Sequence, residues 1–184
     1  KQTLFSSTPG TSRERGRRHP QCRRWHRLAG PQQQAGLLPA GPGAEYFYWL
    51  TPARSGNASA PLLVWLNGGP GASSIIGLFR ELGPFTVSDD GTIGEREFSW
   101  NEEFHVVFVD QPAGTGLSVA TSTEGYANNQ TDVGNRFVLF LQAFYAKYPS
   151  LRRNELWLTG ESYAGKYLPA IANAIIEQRL HLGG

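Results

Sequence analysis

The fold of this chain is decided by the stretch Leu156-Trp157-Leu158-Thr159-Gly160-Glu161-Ser162-Tyr163-Ala164-Gly165. This order predicts an apolar strand, a sharp turn at a serine between small residues, and then a helix. Reversal from strand to helix at one residue strains the backbone and lifts the serine hydroxyl out of the sheet, as a nucleophile requires. A side chain at Gly160, or a larger one at Ala164, is expected to collide with the neighbouring strand or helix.

Apolar strands alternate with helices along most of the chain. The predicted elements are strands at 44–50, 62–66 and 104–109, a hairpin that begins at 85–87, helices at 73–82 and 131–148, a strand at 155–159 and a final helix through 170–176. The helix at 73–82 is expected to bury Ile76 on its apolar side. Such alternation is typical of an α/β fold, in which helices flank a largely parallel sheet.

A glycine-rich segment, Asn67-Gly68-Gly69-Pro70-Gly71, follows the apolar run at 62–66. In serine hydrolases, one oxyanion donor is the N–H after the nucleophile, and the other comes from a glycine-rich loop after an earlier strand. The alternatives are a tight turn or a phosphate-binding loop, but the segment lacks the Gly-Lys-Ser/Thr ending of a phosphate loop. Together with Ser162, the segment indicates an acyl-transfer site.

Several segments between about residues 36 and 180 resemble the serine carboxypeptidase family. They are 65–71, Ser73-Ser74, Gly77-Leu78-Phe79, 81–84, Ser99-Trp100-Asn101, Asp110-Gln111-Pro112, Gly114-Thr115-Gly116 and 160–165. The resemblance implies the N-terminal part of an α/β-hydrolase fold and the release of C-terminal residues from peptides. It implies no cofactor and no metal ion, and a protein that is secreted or resides in a vacuole or lysosome.

The family's site residues fall on matching positions of this sequence. The resemblance implies Ser162 as nucleophile, the N–H groups of Gly69 and Tyr163 as oxyanion hole, and Asn67, the N–H of Gly68, Glu81 and Glu161 as the group that holds the substrate's terminal carboxylate. Carboxyl groups that face a carboxylate cannot all be ionised at close range, so protons must be shared. Binding of free C-termini is therefore expected to weaken as the pH rises. Considered alone, without the resemblance, Glu81 is expected to be a solvated acid on a helix.

The catalytic triad of this fold, in the order Ser, Asp, His, is incomplete here. Ser162 lies 22 residues before Gly184, and the family's Asp and His motifs belong to a downstream half. The histidines present, His19, His26, His105 and His181, are expected to be core or surface residues. We therefore expect the chain alone to be inactive. A carboxypeptidase-like acyltransferase and a non-catalytic binding or regulatory fragment are the alternatives.

Residues 1–35 are predicted to form a disordered basic tail, of aberrant origin or simply solvated, ahead of a domain at 36–184. The tail carries 8 of the 17 Lys and Arg residues and one acid, so the remainder of the chain is acidic. A basic arm can contact nucleic acid or a membrane surface, but this composition is unspecific, and neither a nucleic-acid partner nor a membrane span is expected. The chain has no methionine and begins at Lys1, which indicates a processed product or a piece of a longer reading frame.

Other positions bear on the resemblance. Cys22 is the only cysteine, so an internal disulfide is excluded. Glycosylation sequons begin at Asn57 and Asn129, in polar segments expected to be exposed, and they are compatible with secretion. Ala72 replaces a disulfide cysteine of many members, and Arg96-Glu97 stands where an Asn-Pro pair is common. Because half of an α/β sheet exposes apolar strand edges, we do not expect the chain alone to be a stable monomer.

Overall fold

The structure is a computed structural model that describes residues 33–178. Most of the predicted tail and the end of the chain lie outside this range. The elements are β1 Gln34–Pro39, β2 Ala44–Thr51, β3 Leu62–Leu66, a π-helical segment Gly77–Glu81, β4 Phe85–Val87, β5 Ile93–Glu95, β6 His105–Val109, β7 Val119–Ala120, α1 Gln130–Lys147, β8 Leu156–Gly160 and α2 Ala164–Glu177. None of the helices within 33–178 combines the length and the apolar character needed to cross a bilayer.

The main sheet has the strand order β1-β2-β6-β3-β8, and β7 pairs with β2 beside this path. Strand β3 is parallel to both β6 and β8, whereas β2 is antiparallel to β1 and β6. The hairpin of β4 and β5 forms a separate two-stranded sheet. The predicted α/β architecture with flanking helices is confirmed.

The three parallel strands β3, β6 and β8 begin level with one another and end level with one another, so their carboxyl ends lie along one edge of the sheet. Leu62 pairs with His105 on one side and Leu156 on the other, so β3, β6 and β8 start level. Every residue of β3 and β6 is buried, as expected for strands covered on both faces. Since the strands are of equal length, the loops that follow all three of them emerge at one edge.

Helix α1 covers one face of the sheet through a row of aromatic rings. Phe140 packs against Tyr46 with ring centroids 5.9 Å apart, and Phe144 packs edge-on against Tyr48 at 5.7 Å. Helix α2 lies against α1 so closely that a Cβ added to Gly134 would be 2.5 Å from the Ala170 carbonyl oxygen. The helix that follows Ser162 is thus fixed by the same core as the sheet.

Strand β1 was not predicted from the sequence, and it includes two residues of the predicted tail, Gln34 and Ala35. It pairs antiparallel with β2, and only Leu38 among its residues is buried. An edge strand of this kind needs no continuous apolar run and tolerates Pro39 at its end. Its composition therefore gives little indication of a strand.

The prediction of a regular helix at 73–82 is wrong in two respects: Gly77–Glu81 has π-helical winding, and Ile76 is exposed instead of buried. The N–H of Leu82 donates to the carbonyl of Gly77 at 3.0 Å, a π-helical bond, and Ile76 is 42% exposed. Gly77 lies against the end of β3, where an added Cβ would overlap the Trp65 indole nitrogen. This close approach rotates the segment away from the regular spacing, and such insertions are frequent at functional sites.

Strand β8 lies at the end of the sheet path within the described residues. Trp157, the second residue of β8, is 51% exposed and lines an apolar cavity of about 680 Å³ together with Leu63, Trp100 and Phe104. An exposed strand edge with apolar side chains is prone to pair with another chain.

We expect Trp157→Lys to reduce self-association of the purified chain, because a charge on β8 opposes edge-to-edge pairing. Sedimentation velocity over a range of concentrations measures this. Ile176→Lys is the matched control, since Ile176 is 74% exposed but belongs to α2 and not to the strand. An equal effect of both substitutions would contradict a role for the edge.

Candidate active site

The strand–turn–helix order predicted around Ser162 is confirmed. Strand β8 ends at Gly160, α2 begins at Ala164, and Ser162 has a φ of 55°, in the left-handed region that L-residues rarely occupy. A Cβ added to Gly160 would overlap the Leu66 carbonyl oxygen and lie 2.7 Å from the Ala164 Cβ. The small residues beside the serine are thus required by packing, and the serine itself is exposed.

The glycine-rich loop after β3 packs directly on this turn. A Cβ added to Gly68 would overlap the Tyr163 backbone nitrogen and lie 2.8 Å from the Glu161 carbonyl oxygen. Gly69 has a φ of 103°, which favours glycine. Among the hydrogen bonds within 33–178, none uses the N–H of Gly69 or Tyr163 as donor. The structure therefore brings the two predicted half-sites together and leaves both N–H groups open.

Asn67 is only 2% exposed, and its side chain is hydrogen-bonded to four different residues. Its Oδ1 accepts from the Trp65 indole N–H at 2.8 Å and from the Gly77 N–H at 3.2 Å. Its Nδ2 donates to Glu161 Oε1 at 3.0 Å and to Glu81 Oε2 at 3.3 Å. An amide has two lone pairs and two protons to offer, so every one of them is used.

The same amide nitrogen thus connects the two predicted carboxylate-binding acids, which come from different elements. Glu81 ends the π-helical segment and is half-buried, whereas Glu161 precedes Ser162 and is exposed. A ligand carboxylate that enters this group meets two carboxyl side chains at once.

Arg96 holds the segment that carries Glu81. Its guanidinium donates to three carbonyl groups near the end of that segment, those of Phe79 at 3.2 Å, Gly83 at 2.9 Å and Phe85 at 3.0 Å. A cation is favourable where a helical segment leaves carbonyls unpaired. Sequence reasoning noted Arg96 only as a departure from the family pattern and missed this role.

The one histidine within 33–178, His105, cannot serve Ser162. It begins β6, at the opposite edge of the sheet, about 13 Å from the end of that strand at a rise near 3.3 Å per residue. Its Nδ1 accepts from the Ala53 N–H at 3.2 Å, which fixes the loop before β3. His19, His26 and His181 lie outside the described residues.

Both sequon asparagines are exposed. Asn57 lies in the loop between β2 and β3, and its Oδ1 accepts from the Ser59 N–H at 3.0 Å. Asn129 is the N-cap of α1, where its Oδ1 accepts from the Asp132 N–H at 2.8 Å. Each bond uses only the oxygen, so the amide nitrogen to which a glycan attaches is not engaged by it.

A comparison with protein families matches residues 25–182 to serine carboxypeptidase. The chain is 46% identical over 132 residues to a probable serine carboxypeptidase of Dictyostelium discoideum, covering 72% of this chain and 26% of that protein. It is 43% identical over 129 residues to the vitellogenic carboxypeptidase of Aedes aegypti, covering 70% of this chain and 27% of that protein. The chain thus spans little more than a quarter of the length of these relatives.

Among solved structures, a prohormone-processing carboxypeptidase from Saccharomyces cerevisiae superposes with a TM-score of 0.74 at 36% identity. The match covers 82% of this chain and 35% of the yeast protein. The predicted α/β-hydrolase fold is confirmed.

Gly68→Ala should destabilise the chain by about 2 kcal/mol or more, because the new methyl group meets backbone atoms of the Ser162 turn. Gly165→Ala is the matched control, since nothing lies within 4 Å of a Cβ there, and we expect a change below about 1 kcal/mol. Urea unfolding of both variants measures the difference. Equal midpoints would mean that the loop does not rest on the turn.

Proposed function

Because the chain belongs to the serine carboxypeptidase family, we propose that it is the nucleophile-bearing part of a serine-type carboxypeptidase. The observation that carries the proposal is the contact of Gly68 with the Ser162 turn, which sets the open N–H groups of Gly69 and Tyr163 beside an exposed serine. Such a pair of donors next to a nucleophile is the arrangement that acyl transfer needs.

In the proposed reaction, Ser162 Oγ attacks the carbonyl carbon of the last peptide bond and passes its proton to a general base. The N–H groups of Gly69 and Tyr163 stabilise the oxyanion of the tetrahedral intermediate. The C–N bond breaks, the amine leaves with the proton returned by the base, and the acyl-enzyme forms. Water then attacks the acyl carbon and gives a proton to the base. The bond to Ser162 Oγ breaks, Oγ takes the proton back from the base, and the shortened peptide leaves with a free carboxyl group.

The choice of a C-terminal bond follows from the acids around Asn67. We place the substrate's terminal carboxylate at Asn67, the Gly68 N–H, Glu81 and Glu161, with a proton shared among the carboxyl groups. The contacts of both acids with the Asn67 amide support this placement. The substrates are then peptides or proteins with free C-termini.

The general base must come from outside residues 33–178, because His105 lies at the wrong edge of the sheet. Without a base, the hydroxyl of Ser162 is a weak nucleophile, and only slow residual catalysis remains. We therefore propose that this chain is inactive by itself and requires the Asp and His of a further segment. Asn57 and Asn129 are exposed, as acceptors of a glycan must be. This exposure supports a secreted or vacuolar location.

A fluorophosphonate probe should label Ser162 only when a base is supplied. We expect slow labelling of the chain alone, and labelling faster by about a thousandfold or more when residues 36–178 replace the matching segment of the yeast relative. Mass spectrometry of the modified peptide measures the labelled residue, and Ser162→Ala in the same graft is the control.

Rapid labelling of the chain alone would contradict the missing base, and equal labelling of the Ser162→Ala graft would contradict the nucleophile. Product analysis with a peptide and an alcohol acceptor then separates the two enzyme classes. Transfer to the alcohol in preference to water would favour the acyltransferase alternative, and no product would favour a binding fragment.

Affinity of the graft for a peptide with a free C-terminus should fall by about tenfold or more with rising pH, because loss of the shared proton leaves facing carboxylates. Calorimetry measures this, with the Ser162→Ala background used to prevent turnover. Glu81→Gln should flatten the dependence, and the same peptide with a C-terminal amide should lack it. A profile that is flat for the free acid would overturn the placement.

A further inference from the structure

Asp110 is a buried acid that the proposed chemistry does not use. It follows β6 directly, at the edge of the sheet where the Ser162 turn also lies, and it is 1% exposed. No Lys, Arg or His within 33–178 forms an ion pair with it. A buried carboxylate is costly unless other groups satisfy it, so its partners identify what it holds.

The partners of the Asp110 side chain come from two different loops. Its Oδ1 accepts from the Ser73 hydroxyl at 2.8 Å and from the Ser74 N–H at 2.7 Å, both at the end of the glycine-rich loop. Its Oδ2 accepts from the Leu117 N–H at 2.8 Å. Hydrogen bonds to an ionised acceptor are short and strong, so the carboxylate joins these loops firmly.

The motif Gly114-Thr115-Gly116 packs against the Asp110 carboxylate, which occupies the space that a side chain at Gly116 would need. A Cβ added to Gly116 would overlap Asp110 Oδ2 and lie 2.7 Å from the Ser73 hydroxyl oxygen. Gly116 also has a φ of 53°. Gly116 therefore allows the loop after β6 to pack over Asp110. This contact gives the motif Gly114-Thr115-Gly116 a structural role, since the proposed chemistry does not use it.

From Ser74 the connection continues to the site. The Ser74 hydroxyl donates to the Val109 carbonyl at 2.6 Å and accepts from the Asn67 N–H at 3.1 Å. Within the loop, the Ala72 N–H donates to the Gly68 carbonyl at 3.0 Å. The segment from Asn67 to Ser74, which carries the Gly69 N–H, is thus attached to Asp110 at its far end.

We propose that Asp110 is a positioning residue, which holds the glycine-rich loop so that the Gly69 N–H stays in place for the oxyanion. The inference rests on the proposed function of Ser162 and Gly69. Oxyanion donors act only within a few tenths of an ångström of their productive position. Without Asp110 the loop would keep its contacts at Asn67, at Gly68 against the Ser162 turn and at the Gly71 N–H, which donates to the Tyr167 hydroxyl at 3.3 Å, but its Ser73–Ser74 end would lose the carboxylate that holds it.

The effect should fall on kcat rather than KM. The Asn67 side chain is held by Trp65, Gly77 and the two glutamates independently of Asp110, so the side chains that hold the terminal carboxylate keep their positions. The Gly69 N–H meets a full negative charge only in the transition state. Loss of its position therefore lowers kcat with little change in substrate affinity.

The first test is amide hydrogen exchange by NMR on the full 184-residue chain. Asp110→Asn should accelerate exchange of the Asn67, Ser74 and Leu117 amides by about tenfold or more, with β3 and β6 amides unchanged. Asp89→Asn is the matched control, because Asp89 is exposed. Unchanged exchange in the loops, or an equal increase throughout the sheet, would overturn the proposal.

Ser74→Ala covers the case in which Asp110→Asn does not fold. It removes the hydroxyl between Asn67 and Val109, so exchange at Asn67 should rise while Leu117, still bonded to Asp110, stays protected. Accelerated exchange at Leu117, or none at Asn67, would count against the connection.

The second test is kinetic and uses the graft of residues 36–178 in the yeast relative. Asp110→Asn should lower kcat by about tenfold or more and change KM by less than about threefold. An effect confined to KM would overturn the positioning role. If the graft that retains Asp110 has no activity, the proposed function fails, and the exchange measurement still decides whether Asp110 anchors the loop.

Discussion

The level register of β3, β6 and β8 is the constraint on which the rest of the structure depends. Because these parallel strands start together and are equally long, their following loops meet at one edge. One strand contributes the glycine-rich loop, the next contributes Asp110, and the third contributes Ser162. A slip of one residue in β8 would move Ser162 by more than 3 Å and turn it to the other face of the sheet.

Satisfaction of buried polar groups fixes the geometry within that edge. Asn67 uses all four hydrogen-bonding positions of its amide, and Asp110 uses both carboxylate oxygens. Each of these side chains joins elements that are distant in sequence, and removing a partner would leave a buried polar group unpaired, at a cost of about 1–3 kcal/mol. The loops of this edge are therefore tied by hydrogen bonds to the strands beneath them.

The parts of the fold that depend on contiguous residues were predictable from the sequence. The buried strand 62–66 and the turn at Ser162 follow from apolar runs interrupted by glycine. The winding of Gly77–Glu81 was not predictable, because it results from contact with Trp65 and Asn67 on another element. The anchoring by Arg96 and Asp110 was missed for the same reason, since each side chain bonds to groups in other segments. Sequence patterns identify which residues carry chemistry, but they do not indicate what holds them.

The unusual backbone of Ser162 connects the fold to the chemistry. A non-glycine residue at positive φ costs on the order of 1–3 kcal/mol and persists only where its surroundings leave no alternative. Here Gly160 rests on the Leu66 carbonyl and Gly68 rests on the Tyr163 nitrogen, so backbone packing on two sides of the turn determines its shape. No titratable group contributes to that packing. A base supplied by another segment would therefore change the reactivity of Ser162 without having to reshape the turn or the donors beside it.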